Sequence, residues 1–185
     1  MLKFLSPLII ILIGALFACG GTDDEFAAFE KRKVAKGNFK LLVLDSQKGE
    51  PYKSARIAML QTLKNNGYIS GKNLTIYYES IGNDVKRGEA RLKEMVKVEP
   101  DVIFTNGTVM TIAAKNTFFK HKKYKFVFAC VTDPRGVGVI KEFGIKHTAN
   151  FTGCAYPVQV KSRLSFVLEI IPTCKTIGLI YADMP

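Results

Sequence analysis

The sequence has no tryptophan, two histidines and four cysteines, and it sets 16 acidic residues against 27 basic ones. Each scarcity excludes a class of chemistry. His121 and His147 both fall in charged loops and read as surface histidines, so a histidine-based nucleophile relay is not expected. Cys19, Cys130, Cys154 and Cys174 contain neither a Cys-x-x-Cys pair nor a Cys/His zinc spacing, so no metal site is expected. Gly136-Val137-Gly138 lacks the third glycine of a dinucleotide fingerprint, and Gly71-Lys72 lacks P-loop spacing. Gly-x-Ser-x-Gly, His-Glu-x-x-His and acidic calcium loops are missing as well, so no cofactor is expected. No apolar run reaches the length of a membrane-spanning helix.

The longest apolar run, Phe4–Ala18, is broken by Ser6, Pro7 and Gly14 and follows Lys3. A short apolar segment behind an N-terminal charge is the pattern of a secretory signal peptide. It ends Leu16-Phe17-Ala18-Cys19-Gly20, which resembles the bacterial lipoprotein cleavage box and implies diacylglycerol on the Cys19 thiol. The alternative is an uncleaved N-terminal anchor. Both readings export the chain and tether it to a membrane. Removing residues 1–18 leaves 167 residues, the size of one domain. Residues 19–37 are charged, glycine-containing and without apolar period, and read as a tether.

The formal charge of +11 raises nucleic acid as a partner. The lysines are scattered, however, and the densest cluster, Lys120-His121-Lys122-Lys123-Tyr124-Lys125, lies between a helix and a strand. No nucleic-acid motif accompanies it. The excess therefore reads as a solvated surface, with attraction to anionic lipid as the second reading.

From residue 38 onward, strands and helices alternate. Phe39–Asp45 and Asn73–Glu79 read as strands, and Asp101–Thr105 and Lys125–Val131 are short runs rich in Val, Ile and Phe, as expected of strands buried on both faces of a parallel sheet. Lys53–Asn66 carries a helical stripe and stops at Asn66-Gly67, where Gly67 takes the left-handed position and Tyr68 packs back. Asp84 caps the next helix, which Pro100 ends. A third helix follows Thr108, placed as its N-cap. Gly136–Phe143 suggests a short helix and Asn150–Gly153 a short strand. A helix opens at Pro157, closes at Pro172, and is followed by a strand over Lys175–Tyr181. This is a doubly wound α/β fold with a mainly parallel sheet. It divides into a lobe over residues 38–156 and, over 157–185, a crossover helix and the first strand of an incomplete second lobe.

In an open parallel sheet, ligands bind beyond the carboxyl ends of the strands. Three loops meet there: Ser46–Pro51, Thr105–Thr108 and Thr132–Pro134. Asp133 can equally order its own turn, and Asn106 can cap its loop.

The order of features resembles the substrate-binding lipoproteins of ABC importers, in the family whose characterised members bind aromatic amino acids. The matching runs are Gly67-Tyr68 with Gly71-Lys72-Asn73-Leu74, then Asp101-Val102-Ile103 ahead of Thr105-Asn106-Gly107-Thr108. Phe126-Val127-Phe128 leads into Val131-Thr132-Asp133-Pro134, and Asn150-Phe151-Thr152-Gly153 follows. Lys146-His147-Thr148-Ala149 replaces the Pro-Gly turn usual before that last motif. The resemblance covers about residues 39–181 and implies a non-catalytic protein in the cell envelope, lipid-anchored and facing the periplasm or exterior. It further implies an ABC permease as partner and a small ligand, an amino acid, held between two lobes, of which this chain carries the first. The implied ligand-binding residues are Ser46, Gln47, Asn106, Gly107, Thr108, Thr132 and Asp133. Amide groups at 106–108 would meet a carboxylate and Asp133 an ammonium, with Tyr52 and Tyr156 as stacking surfaces. Two other functions fit parts of the pattern. One is a ligand-sensing lipoprotein serving a membrane receptor. The other is a cofactor-independent racemase using Cys130 and Cys154, since Thr152–Pro157 resembles one of that family's cysteine motifs.

Overall fold

The computed structural model describes residues 37–144, 149–178 and 180. The signal peptide, Cys19, nearly all of the tether and the Lys146–Thr148 turn lie outside the described residues.

Five parallel strands form one sheet: β1 (Phe39–Asp45), β2 (Leu74–Ser80), β3 (Val102–Asn106), β4 (Phe126–Val131) and β5 (Phe151–Ala155), in the order β2-β1-β3-β4-β5. This is one of the two common doubly wound orders, and its switch point lies between β1 and β3. Helices α1 (Tyr52–Asn65), α2 (Val85–Met95) and α3 (Thr108–Phe118) are the crossovers between successive strands. A four-residue helix, α4 (Pro134–Val137), and a final helix, α5 (Val160–Ile170), complete the described elements.

Strand alternation divides the core in two. Leu42, Leu44, Ile103, Phe126, Phe128 and Phe151 point to the face covered by α2 and α3, where they meet Leu92, Met110 and Ala113. Phe126 and Phe151 stack at 4.5 Å with rings 7° from parallel. Leu41, Val43, Leu74 and Phe104 point to the other face, against Met59, Leu60 and Leu63 of α1. Gly88 lets α2 approach α3, because a Cβ there would lie 2.9 Å from the Cβ of Ala113.

Local signals in the sequence act as expected at two helix ends. Asp84 accepts the Arg87 N–H at 3.0 Å. At the end of α1, Gly67 sits at φ 84°, its N–H donates to Lys64 O, and the Tyr68 N–H donates to Leu63 O. That pair of bonds is the Schellman motif, and Tyr68 joins Leu63 in one apolar cluster and packs edge-on against Phe39 of β1 at 5.3 Å.

Four expectations need correction. β4 is not buried on both faces: Val127 and Ala129 are only half-buried where α1 packs over β3 and β4, and β5 at the sheet edge beyond it is exposed over Thr152–Cys154. The short helix runs Pro134–Val137, not Gly136–Phe143, since Asp133 caps it, Pro134 presets its first turn and Gly138 ends it at φ 78°. Gly107, not Thr108, is the N-cap of α3. Residues 175–178 form no strand, as no neighbouring strand among the described residues offers them a ladder. The stripe of α5 is likewise unburied among the described residues, with Val160 and Leu164 both exposed.

Candidate functional site

The carboxyl ends of β1 and β3 lie side by side, Asp45 paired with Asn106, and the chain leaves each in a turn. The first turn is pinned from three sides. The Ser46 N–H donates to Asn106 O at 2.8 Å, Ser46 O accepts the Asn83 N–H at 2.7 Å, and Asp45 O accepts the Ile81 N–H at 3.0 Å. Ser46 is fully buried, and its Oγ accepts the Met110 N–H at 3.1 Å. It therefore caps α3 from a different loop, satisfying a donor that the helix cannot satisfy itself.

Gly107 joins β3 to α3 at φ 103° and ψ 161°, a backbone region open in practice only to glycine. A side chain there would collide with Ser46 Oγ and stand 2.5 Å from Cε1 of Tyr52. The Gly107 N–H donates to Ala129 O at 2.8 Å, which ties the turn to β4 as well. With Met110 N–H already capped, the first helical amides, Thr108 and Val109, are the orphan donors at this end. They carry the positive end of the helix dipole toward the loops.

Thr108 and Thr132 meet across these loops, the Thr132 N–H lying 3.4 Å from Thr108 Oγ1. Asp133 is exposed, and one carboxylate oxygen accepts the Arg135 N–H at 3.1 Å. That contact orders the turn and leaves the other oxygen, which faces Gly136, available to a cation. Gln47 is exposed beside Ser46, and Tyr52 is half-buried over Gly107. Tyr156 is 58% exposed, tied to the β4 end by its N–H donating to Val131 O at 2.8 Å.

All seven sequence-derived residues thus gather at one end of the sheet, in two layers. Gln47, Thr108, Thr132 and Asp133 face outward, partly or fully exposed. Ser46, Asn106 and Gly107 form the buried floor. Asn106 Nδ2 donates to Asp45 Oδ1 at 3.0 Å and to the Tyr52 carbonyl at 2.8 Å, so both its N–H groups are committed to the protein.

Sequence reasoning missed the charge beneath this floor. Asp45 is fully buried and pairs with the Arg56 guanidinium of α1. The Tyr78 hydroxyl donates to the same carboxylate at 3.3 Å, Arg56 Nη1 reaches that hydroxyl at 3.2 Å, and the guanidinium carbon lies 4.5 Å from the Tyr78 ring centre. The only sequence signal was an aspartate closing an otherwise apolar strand.

The two candidate thiols occupy adjacent strands. Cys130 sits at φ 55° where the β4–β5 register slips, and Cys154 is exposed on β5. Burial pushes the Cys130 thiol above its ordinary pKa. A base that must remove a substrate proton needs the opposite shift.

Comparison with known proteins bears on the family and the fold. The profile described as ABC transporter substrate binding protein matches residues 47–184. A tyrosine-binding protein from Clostridioides difficile is 26% identical over 182 residues, covering 97% of this chain and 52% of its own length. A conserved domain protein from Vibrio cholerae superposes with a TM-score of 0.72 at 26% identity, over 79% of this chain and 48% of that one. An ABC domain solved with L-Trp from Streptococcus pneumonia shares the fold at a TM-score of 0.70 and 20% identity, over 80% of this chain and 48% of the other. The chain spans about half the length of the relatives it matches.

Proposed function

The chain belongs to the ABC transporter substrate binding protein family, and on that premise we propose that it is the first lobe of a lipid-anchored solute-binding protein serving an importer of a free amino acid. The observation that carries the ligand class is the juxtaposition of opposite functions at one sheet end. The uncapped amides of Thr108 and Val109 suit a carboxylate. The exposed carboxylate of Asp133, one loop away, suits an ammonium. A zwitterion is the small solute that needs both. Tyr52 over Gly107 and the exposed Tyr156 offer aromatic surface for a side chain of the same kind, and the tyrosine-binding relative supports that choice.

The lipid anchor rests on the Leu-Phe-Ala-Cys-Gly box at residues 16–20, and the permease on the family. In a two-lobed site each lobe supplies part of the grip, so this chain alone should bind no tighter than about 1 mM. The test is amide chemical-shift mapping on the full chain, titrated with tyrosine and with its decarboxylated and deaminated analogues. Shifts should concentrate at residues 46–47, 106–109 and 132–133 and should vanish when either charged group of the ligand is removed. Shifts located elsewhere, or equal for all three compounds, would refute the zwitterion reading. The intact mass of the protein extracted from its membrane tests the anchor, which requires loss of residues 1–18 and the mass increment of a lipid on Cys19.

A further inference from the structure

The lysines scattered along the sequence are collected by the topology. All five strands are parallel, so they start at one end of the molecule and finish at the other. Lys40 opens β1, Lys72 precedes β2 and Lys97 precedes β3, while Lys120, Lys122, Lys123 and Lys125 precede β4. Only Glu99 and Asp101 oppose these seven cations in the same segments, a net of +5. The loops leaving the same four strands carry Lys48 against Glu50, Asp84 and Asp133, a net of −2. In the connecting segments the positive charge is thus concentrated at the end from which the strands start, while at the ligand end the lysines and arginines of the first helical turns are set against Glu50, Asp84 and Asp133.

All seven lysines are exposed. Lys40 donates to Val98 O and Lys123 pairs with Glu99 at 2.9 Å. Among the described residues, no carboxylate comes within ion-pair distance of Lys72, Lys97, Lys120, Lys122 or Lys125. Between Lys40 and Lys125 opens an apolar depression of about 440 Å³, floored by Phe39, Leu41, Leu63, Tyr68 and Val102. Cations around an apolar patch are what an interfacial surface requires, since headgroup phosphates meet the lysines and the acyl boundary meets the patch. The chain also joins the folded unit at this end, because β1 starts here, and in the preceding segment Lys31, Arg32, Lys33 and Lys36 balance Asp23, Asp24, Glu25 and Glu30, so the charge of this face is carried by the folded unit itself.

We propose that the end from which the strands start is a docking face for an anionic phospholipid bilayer. The inference shares with the proposed function only the assumption that the chain works at a membrane. The basic face binds lipid by its own charge, whether or not Cys19 is acylated.

The test is co-sedimentation of the full, unacylated chain with phosphatidylcholine vesicles, with and without phosphatidylglycerol. One variant carries glutamine at Lys72, Lys120, Lys122 and Lys125. A second removes the same charge from the opposite end, at Lys48, Lys53, Lys86 and Lys161. The first variant should lose about tenfold or more of the phosphatidylglycerol-dependent binding, and the second less than about threefold. Binding to pure phosphatidylcholine, which reads the apolar leader, should not change. Amine-acylation footprinting on the same vesicles should protect Lys72, Lys120, Lys122 and Lys125 selectively, however tightly the leader holds. Equal losses in the two variants, or uniform protection, would overturn the docking face. A missing lipid mass on envelope-extracted protein would instead overturn only the anchor.

Discussion

Replacing Gly107 by alanine tests the tightest point of the candidate site. The native φ of 103° with ψ of 161° lies where an L-residue pays about 1–3 kcal/mol in backbone strain. The added methyl must also displace Ser46 Oγ and the Tyr52 ring, whose Cε1 would stand 2.5 Å away. Neither can yield cheaply, because Ser46 is fully buried and caps Met110, and the Tyr52 carbonyl holds Asn106. Forced repacking of this sort costs about 1–3 kcal/mol more. Together the two effects predict a loss of about 2–6 kcal/mol, a large share of the roughly 5–15 kcal/mol that stabilises an ordinary domain. Urea denaturation of the full chain measures it as a lower midpoint with an unchanged slope. Gly49→Ala is the control: nothing lies within 4 Å of its Cβ position, so it should be neutral or slightly stabilising. A Gly107→Ala loss below about 1 kcal/mol would mean that the β3–α3 turn is not held as described, and the placement of the Thr108 and Val109 amides would fall with it.

Two further outcomes follow from the same framework. Arg56→Ala strands the buried Asp45 carboxylate with only Asn106 and Tyr78 as donors, and should destabilise by about 3 kcal/mol, the low end for a broken buried pair; a denaturation midpoint within error of wild type would show that Asp45 needs no cation. Peptide mapping after timed alkylation near neutral pH should find Cys154 modified well before Cys130, since Cys154 is exposed whereas burial keeps Cys130 protonated; faster modification of Cys130 would point to an activated thiol and revive two-thiol chemistry.

The parts of this structure that the sequence made legible are those decided within a few residues. The Asp84 cap and the Gly67-Tyr68 stop are local hydrogen-bond arrangements, and each formed as the residue types require. The βα alternation was legible for the same reason, because period and turn residues are short-range signals. Errors appeared where neighbours decide. The strand expected over Lys175–Tyr181 has the right composition, yet residues 175–178 find no ladder among the described residues. Thr108 is a good N-cap residue, but Gly107 holds that position because Ser46, 61 residues earlier in the chain, supplies the side-chain acceptor instead.

Asn106 shows how the candidate site itself was half legible. Its place at the end of β3 followed from the strand pattern, and so did its nearness to the ligand end. Its partners did not, because Asp45 and Tyr52 reach it only through the β1–β3 pairing. The pairing turns a residue chosen as a ligand donor into one that fixes the floor under the donors. Arg56, which no motif marks, then stabilises the carboxylate on which that floor depends. In the proposed site, affinity would therefore be set in two layers: Gln47, Thr108, Thr132 and Asp133 would meet the ligand, while Asp45, Arg56, Ser46 and Asn106 hold the loops that carry them. Variation of Gln47, Thr108 or Thr132 should change ligand preference at little cost in stability, Asp133 should also cost about 1 kcal/mol because it caps α4, and the inner layer should tolerate almost no variation, since its buried groups satisfy one another.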